Sequence, residues 1–180
     1  LPAVCVTAGL PDLFHPTTGI YVNADGHGRS WERPGSLELI GDSTTAEGGF
    51  QSGCGLRMRG GVSRRDSNPK HGWRVFFRKE YGAGKLQYPV YGGGGAAEFD
   101  GFDLQCAQNY SWSRDGGLTY NALREIWSRD TQLAMGQPAT RGRFVHLFLN
   151  GLYWGLHQIQ ERADASFGES RLGGDDEDFD

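Results

Sequence analysis

Cysteine is scarce in this chain. Cys5, Cys54 and Cys106 are the only three, odd in number and far apart. They provide no disulfide framework and no zinc-ligand spacing, and at most one disulfide can form among them. No apolar run approaches the ~18 residues of a membrane-spanning helix, and no signal-peptide pattern stands at the start. The G-x-S-x-G and H-E-x-x-H motifs are missing, so nothing resembles a complete hydrolytic site. The acidic run Asp175, Asp176, Glu177, Asp178 and Asp180 lacks the glycine and closing glutamate of an EF-hand and reads as a solvated loop. The histidines at 15, 27, 71, 146 and 157 are scattered. His146 and His157 stand where a hairpin could bring them face to face, as satisfied strand residues more naturally than as metal ligands. Excess positive charge is also lacking. Lys and Arg number 18 against 22 Asp and Glu, a net charge of −4, which argues against nucleic acid.

Glycine, in contrast, is plentiful. It makes up 29 of the 180 residues while apolar residues are only 37%. Average glycine usage is about 7%, so many turns and short strands are expected in one domain with a real core. Strands are expected at 1–6, 36–40, 53–59, 73–78 and 102–106, from alternation such as Leu56 and Met58 against Arg57 and Arg59. One confident helix is expected over 119–135. Thr119 caps it, Leu123, Ile126, Trp127 and Ala134 share a face, and Gly136 and Pro138 stop it. A short helix is expected near 163–167.

The most informative stretch is 143–161. Two β-type runs flank Asn150-Gly151, which supplies the positive φ of a tight hairpin turn. Tyr153, Trp154 and Gly155 crowd next to that turn, and the second run ends on Glu161. A basic segment lies upstream. Arg59-Gly60-Gly61-Val62-Ser63, with Arg64, Arg65 and Lys70, sits between two expected strands. Glycines admit close backbone approach to an anion, and the cations neutralise it. The spacing matches neither common phosphate-loop pattern, and from the residues alone an ordinary exposed basic hairpin is the more natural reading. Glu125 and Arg129 either form a surface i, i+4 ion pair or turn toward the sheet.

These motifs, in order, resemble the CotH kinase family, the spore-coat-protein-H-like atypical protein kinases. The resemblance rests on Leu56-Arg57-Met58-Arg59-Gly60-Gly61-Val62-Ser63, Pro69-Lys70, Trp73-Arg74-Val75-Phe76-Phe77 and Glu80-Tyr81-Gly82. It continues through Leu86-Gln87-Tyr88-Pro89-Val90, Phe99-Asp100, Phe102-Asp103-Leu104 and Leu123-Arg124 to Asn150-Gly151-Leu152-Tyr153-Trp154-Gly155, Glu161-Arg162 and Phe167. Gly19-Ile20-Tyr21-Val22 and Trp31-Glu32-Arg33-Pro34 resemble the lead-in of larger bacterial members. One departure is Leu104-Gln105-Cys106, where members often carry leucine-arginine.

The resemblance implies an α+β fold. It would be a mostly antiparallel twisted sheet with one main helix, like a protein-kinase N-lobe, over residues 51–180, preceded by an extended β-rich lead-in at 1–50. It implies ATP with Mg²⁺ or Mn²⁺ as cofactor, and transfer of phosphate to Ser/Thr of secreted or coat proteins. The implied nucleotide-binding residues are Arg59, Gly60, Gly61, Ser63, Lys70, Arg74 and Glu161, with Glu161 at the hinge and Arg124 or Glu125 in the lobe's helix. The family's catalytic and metal-binding aspartates belong to a later C-lobe with a Trp-Asp segment. No catalytic residue or metal ligand is therefore expected within 1–180, and this stretch, read as a piece of a longer protein, is expected to be inactive alone. A secreted or cell-envelope location follows from the same resemblance. The alternative is a non-catalytic extracellular or coat module on this scaffold, with Trp31, Trp112 and Trp154 stacking on sugars or a partner. A Gly-rich β-sandwich unrelated to kinases is the third reading.

Overall fold

The computed structural model describes residues 1–41, 48–65, 67–68, 70–92, 95–106 and 121–179. The strands are β1 (Ala3–Ala8), β2 (Arg33–Ile40), β3 (Phe50–Arg59), β4 (Gly72–Phe76), β5 (Leu86–Gln87), β6 (Glu98–Phe99), β7 (Gly101–Gln105), β8 (Gly142–Leu149) and β9 (Leu152–Gln160). The helices are α1 (Leu10–Phe14), α2 (Arg124–Ala134) and α3 (Ala165–Leu172). Seven strands close into a barrel in the order β1-β2-β3-β4-β7-β9-β8, and β5 and β6 form a separate two-stranded sheet.

Alternation decides which residues enter the barrel. Val4 and Val6, Leu37 and Leu39, Leu56 and Met58, Trp73 and Val75, Phe102 and Leu104, and Val145 and Leu147 are all buried. Their odd-numbered or even-numbered neighbours face outward, as a pleated strand requires. His157 is buried among the interior residues, whereas His146 faces out and meets the Tyr153 hydroxyl at 3.0 Å. The two histidines therefore do not face each other. Instead Val145 pairs with His157, and His146 with Leu156.

Closure overturns the expected open, kinase N-lobe-like sheet. β1 pairs with β2 antiparallel and with β8 parallel, so segments read as a lead-in complete the barrel. The hairpin turn locks this joint. Asn150 and Gly151 have φ of 48° and 83°, as a type I′ turn demands. The Asn150 side chain accepts from Ala8 N at 2.9 Å and donates to Ala8 O at 3.0 Å. Its backbone N donates to Val6 O at 2.8 Å. One side chain thus extends the β1–β8 pairing past the end of β8.

The aromatic cluster after the turn also has a cause. Leu147 pairs with Gly155 and Phe148 with Tyr153, which leaves Trp154 as the extra residue of a bulge. The bulge aims Trp154 at Tyr21 and Phe14, with ring centroids 5.4 and 6.5 Å away. Gly155 has φ 101°, and a Cβ there would stand 2.7 Å from Lys70 Nζ.

Among the described residues no main helix packs an apolar face on the sheet. Leu123 and Trp127, expected on the buried side of α2, are exposed, and no α2 residue is fully buried. The half-buried stripe is Glu125, Ile126, Arg129 and Leu133. Ile126 packs where Gly142 lacks a side chain. Glu125 accepts two 2.9 Å hydrogen bonds from Gln105 and one of 3.0 Å from Gln160, so a polar contact seats the helix on β7 and β9. Asp164 caps α3 by accepting from Phe167 N. Thr119, Trp112, Pro69 and Asp180 lie outside the described residues.

Two outcomes follow. Asn150→Ala loses the β1 clip and strains the turn, at a cost of about 2–3 kcal/mol in urea unfolding, whereas Asn150→Gly keeps the turn and loses about 1 kcal/mol. The pH dependence concerns His157, whose pKa falls from 6.5 to about 3 because burial, and then the Lys70 charge, disfavour the imidazolium. Its contribution to stability is complete above pH 6.5 and is lost progressively as pH falls toward 3. Melting temperatures of the wild type should therefore decline between about pH 6.5 and 4.5, and His157→Gln should flatten that decline.

Candidate functional site

The outer face of β3, β4 and β7 carries the charge. Alternation places Arg57 and Arg59 of β3 and Arg74 of β4 on this face, and the register sets Arg57 opposite Arg74 and Arg74 opposite Asp103. Like charges across a strand pair repel, and two buried carboxylates relieve that. Asp103 accepts from Arg59 Nε at 2.6 Å and from Arg74 Nε at 2.8 Å. The hydrogen bond to Asp103 raises the pKa of Arg74. Glu32, from the loop before β2, takes Arg57 at 2.6 Å and Arg78 at 3.1 Å, and also Arg29. Burial pushes the Glu32 carboxyl upward, but hydrogen bonds from Arg57 and Tyr81 and the charges of Arg57 and Arg78 outweigh it, so its pKa lies below the usual value.

Phe76, on the same face, is a plate for guanidinium groups. Arg57 and Arg78 lie 4.5 and 4.6 Å from its centroid, and Arg162, just beyond β9, lies 5.8 Å away. Arg162 also meets Asp164 at 3.2 Å. Burial lowers its pKa, and the positive charges of Arg74 and Arg57 lower it further against Asp164 and Asp103. In this network six arginines (29, 57, 59, 74, 78 and 162) meet four carboxylates (32, 80, 103 and 164), leaving two positive charges in surplus. A cleft opens beside it, where the carboxylates Glu98, Asp100, Glu161 and Asp164 stand with Arg162, Gly101 and Phe167. Gly101 is the register partner of Phe76, so the cleft adjoins the plate.

The expected site residues divide into three groups. Arg59 and Arg74 come together on Asp103. Gly60, Gly61 and Ser63 form the turn that follows Arg59. Gly60 has φ 114°, and a side chain there would strike the Ser63 hydroxyl, whereas Gly61 faces open space. Lys70 reaches past the end of β7 to donate to Leu156 O at 3.2 Å, and burial lowers its pKa. It lies at the Gly60 end of the face but is bound to β9. Glu161 accepts from Arg141 N at 2.7 Å and meets Arg171 at 3.0 Å, tying β8 and α3 together while it lines the cleft.

Glu32, Arg57, Phe76, Arg78, Asp103 and Arg162 were not among the expected site residues. The alternating arginines signalled a common face, but their carboxylate partners come from distant segments. Trp31 stacks under Arg33 at 5.8 Å and Trp154 fills the bulge cluster, so both pack within the protein. Among the described residues no group of three or more His, Cys, Asp or Glu is placed to hold a metal ion. Among them, too, no helix is long and apolar enough to cross a membrane.

Glu32 is the most enclosed member of the network, with its side chain 1% exposed. Glu32→Gln strands its arginines and should cost about 3 kcal/mol in chemical denaturation at pH 7. A change below about 1 kcal/mol would mean that the arginines re-solvate freely.

A family profile described as CotH kinase protein matches residues 56–179, from within β3 to beyond α3. No match emerges among curated proteins. The matched span is more than half of the chain and contains Arg57, Arg59, Arg74, Phe76, Asp103, Glu161 and the Asn150-Gly151 hairpin. The chain belongs to the CotH kinase protein family.

Proposed function

We propose that this barrel is the nucleotide-covering part of a CotH-type phosphotransferase, one that moves phosphate from ATP to Ser/Thr hydroxyls of a protein substrate. The observation that carries the reading is the arginine-rich outer face, which holds a positive surplus in a chain of net charge −4 and runs from the Gly60-Gly61 turn. Arg59 and Arg74, already oriented by Asp103, present their remaining N–H groups to a polyphosphate. The turn offers backbone N–H groups without a Cβ in the way at Gly61. Lys70, at the same end, is a desolvated cation with only a carbonyl partner among the described residues, and it adds long-range attraction.

The divalent metal is a different matter. Asp103 and Glu32, the carboxylates of this face, are saturated by arginine, so the residues fit the anion and do not fit its Mg²⁺ or Mn²⁺. Phosphoryl transfer needs a metal-holding carboxylate and a residue that positions the nucleophile. On this reading residues 1–180 bind nucleotide and leave transfer to residues supplied from elsewhere. Residues 51–180 of this reading form the nucleotide-covering unit, with 1–50 completing its barrel.

Titration of residues 1–180 with a fluorescent ATP analogue tests this. Saturable binding is expected, weakened about tenfold by Arg59→Ala and by Arg74→Ala, with melting curves confirming the fold. No binding, or binding indifferent to both substitutions, would sink the reading. So would phosphate transfer to a protein acceptor by this stretch alone.

A further inference from the structure

Asn150 is the only asparagine in the chain that precedes a glycine; the others precede Ala24, Pro69, Tyr110 and Ala122. An asparagine so placed can modify itself. The backbone N of Gly151 attacks the side-chain amide carbon of Asn150, forming a C–N bond and giving up its proton. The bond to Nδ2 breaks, and that nitrogen leaves as ammonia. Water then opens the resulting five-membered imide at either carbonyl, giving aspartate or isoaspartate. Water is the one co-reactant, and nothing is oxidised or reduced. A following glycine favours the attack because it has no Cβ to obstruct it, and Gly151 is exposed to the water that completes the reaction.

The closed barrel opposes this reaction in two ways. Asn150 and Gly151, with φ of 48° and 83°, form a type I′ turn. Such a turn holds ψ of its first central residue near about 30°, whereas the imide ring needs that bond turned to the opposite side, so the turn must open first. The side chain is also committed. Oδ1 accepts from Ala8 N at 2.9 Å and Nδ2 donates to Ala8 O at 3.0 Å. Attack requires the amide carbon to swing back over its own main chain, which releases both bonds. The third tie, from Asn150 N to Val6 O at 2.8 Å, goes to β1 as well. Every restraint on the side chain and its amide N–H is therefore part of the β1–β8 joint.

We propose that Asn150-Gly151 is a self-modification site guarded by barrel closure. It survives while β1 is paired with β8, deamidates in molecules whose joint has opened, and yields a product that bars the joint from re-forming. Aspartate has no hydrogen to donate to Ala8 O and sets a negative charge against that carbonyl. Isoaspartate adds a main-chain atom to a two-residue turn whose length sets the β8–β9 register. Either product leaves β1 and β8 with bare edges, so a transient opening becomes permanent.

Ageing of residues 1–180 at mildly alkaline pH tests this, with the amide-to-acid mass change at Asn150 followed by peptide mapping. Isomerisation at Asp-Gly pairs such as Asp100-Gly101 leaves the mass unchanged and does not interfere. The folded protein should react about a hundredfold more slowly than the same chain in concentrated urea. Val6→Ala, which weakens the buried face of β1, should speed the folded reaction about tenfold and leave the rate in urea unchanged. Val75→Ala, in the core at β4, should speed it much less. Deamidated protein separated by ion exchange should melt below the unmodified form. Equal rates folded and in urea, equal acceleration by the two valine substitutions, or an unchanged melting temperature after deamidation would each overturn the proposal. The comparison with urea and the melting of the product need no variant, so they decide the matter even where a substitution prevents folding.

Discussion

The structure depends on the parallel joint between β1 and β8. Six of the seven barrel strand pairs are antiparallel and follow from neighbouring chain or simple register. The seventh joins residues 3–6 to residues 146–149 and converts a sheet with two bare edges into a barrel with none. Asn150 extends that joint with a side-chain amide that behaves like one more backbone pair with Ala8. The same Asn sets the turn, so one residue fixes both the β8–β9 hairpin and the closure of the barrel.

Closure governs the chemistry because it leaves only one face of each strand for water or ligand. The interior is taken by Trp73, Phe102 and the aliphatic residues, so Arg57, Arg59 and Arg74 are forced together outside. Repulsion among them is tolerated because Asp103 and Glu32 are enclosed beneath them. The carboxylates do not cancel the arginines completely, and the proposed anion binding would draw on that residual charge. Glu32 comes from a segment before β2, outside the span that the family profile matches, and so the matched region alone does not complete the network.

Local pattern carried a good deal of this. The alternation around Leu56, Met58, Trp73 and Val75 identified strands and their buried faces, because a period of two survives without tertiary context. Asn150-Gly151 identified the hairpin, because positive φ at two successive residues restricts the choice of side chain. The family was legible in the order of its motifs. Closure was not, since nothing local at residues 3–6 says that their partner lies some 140 residues away. The orientation of α2 also escaped, because its seat is Glu125 on Gln105 and Gln160 rather than an apolar stripe. Gln105, notable in the sequence as a departure from the family's arginine, proves to be one of the residues that hold Glu125. Among the expected site residues, Arg59 and Arg74 do converge, whereas Glu161 is committed to Arg141 and Arg171.

The proposed anion seat is the outer face of β3, β4 and β7 on the closed barrel. The most direct measurement is an NMR titration of residues 1–180 with ATP that follows backbone amides together with arginine Nε–Hε signals. Saturable shifts are expected at Gly60, Gly61, Arg59 and Arg74, with the interior amides of β1 and β8 unmoved. Shifts confined to the face formed by Cys5, His146 and Phe148, or no saturable shift at all, would contradict it.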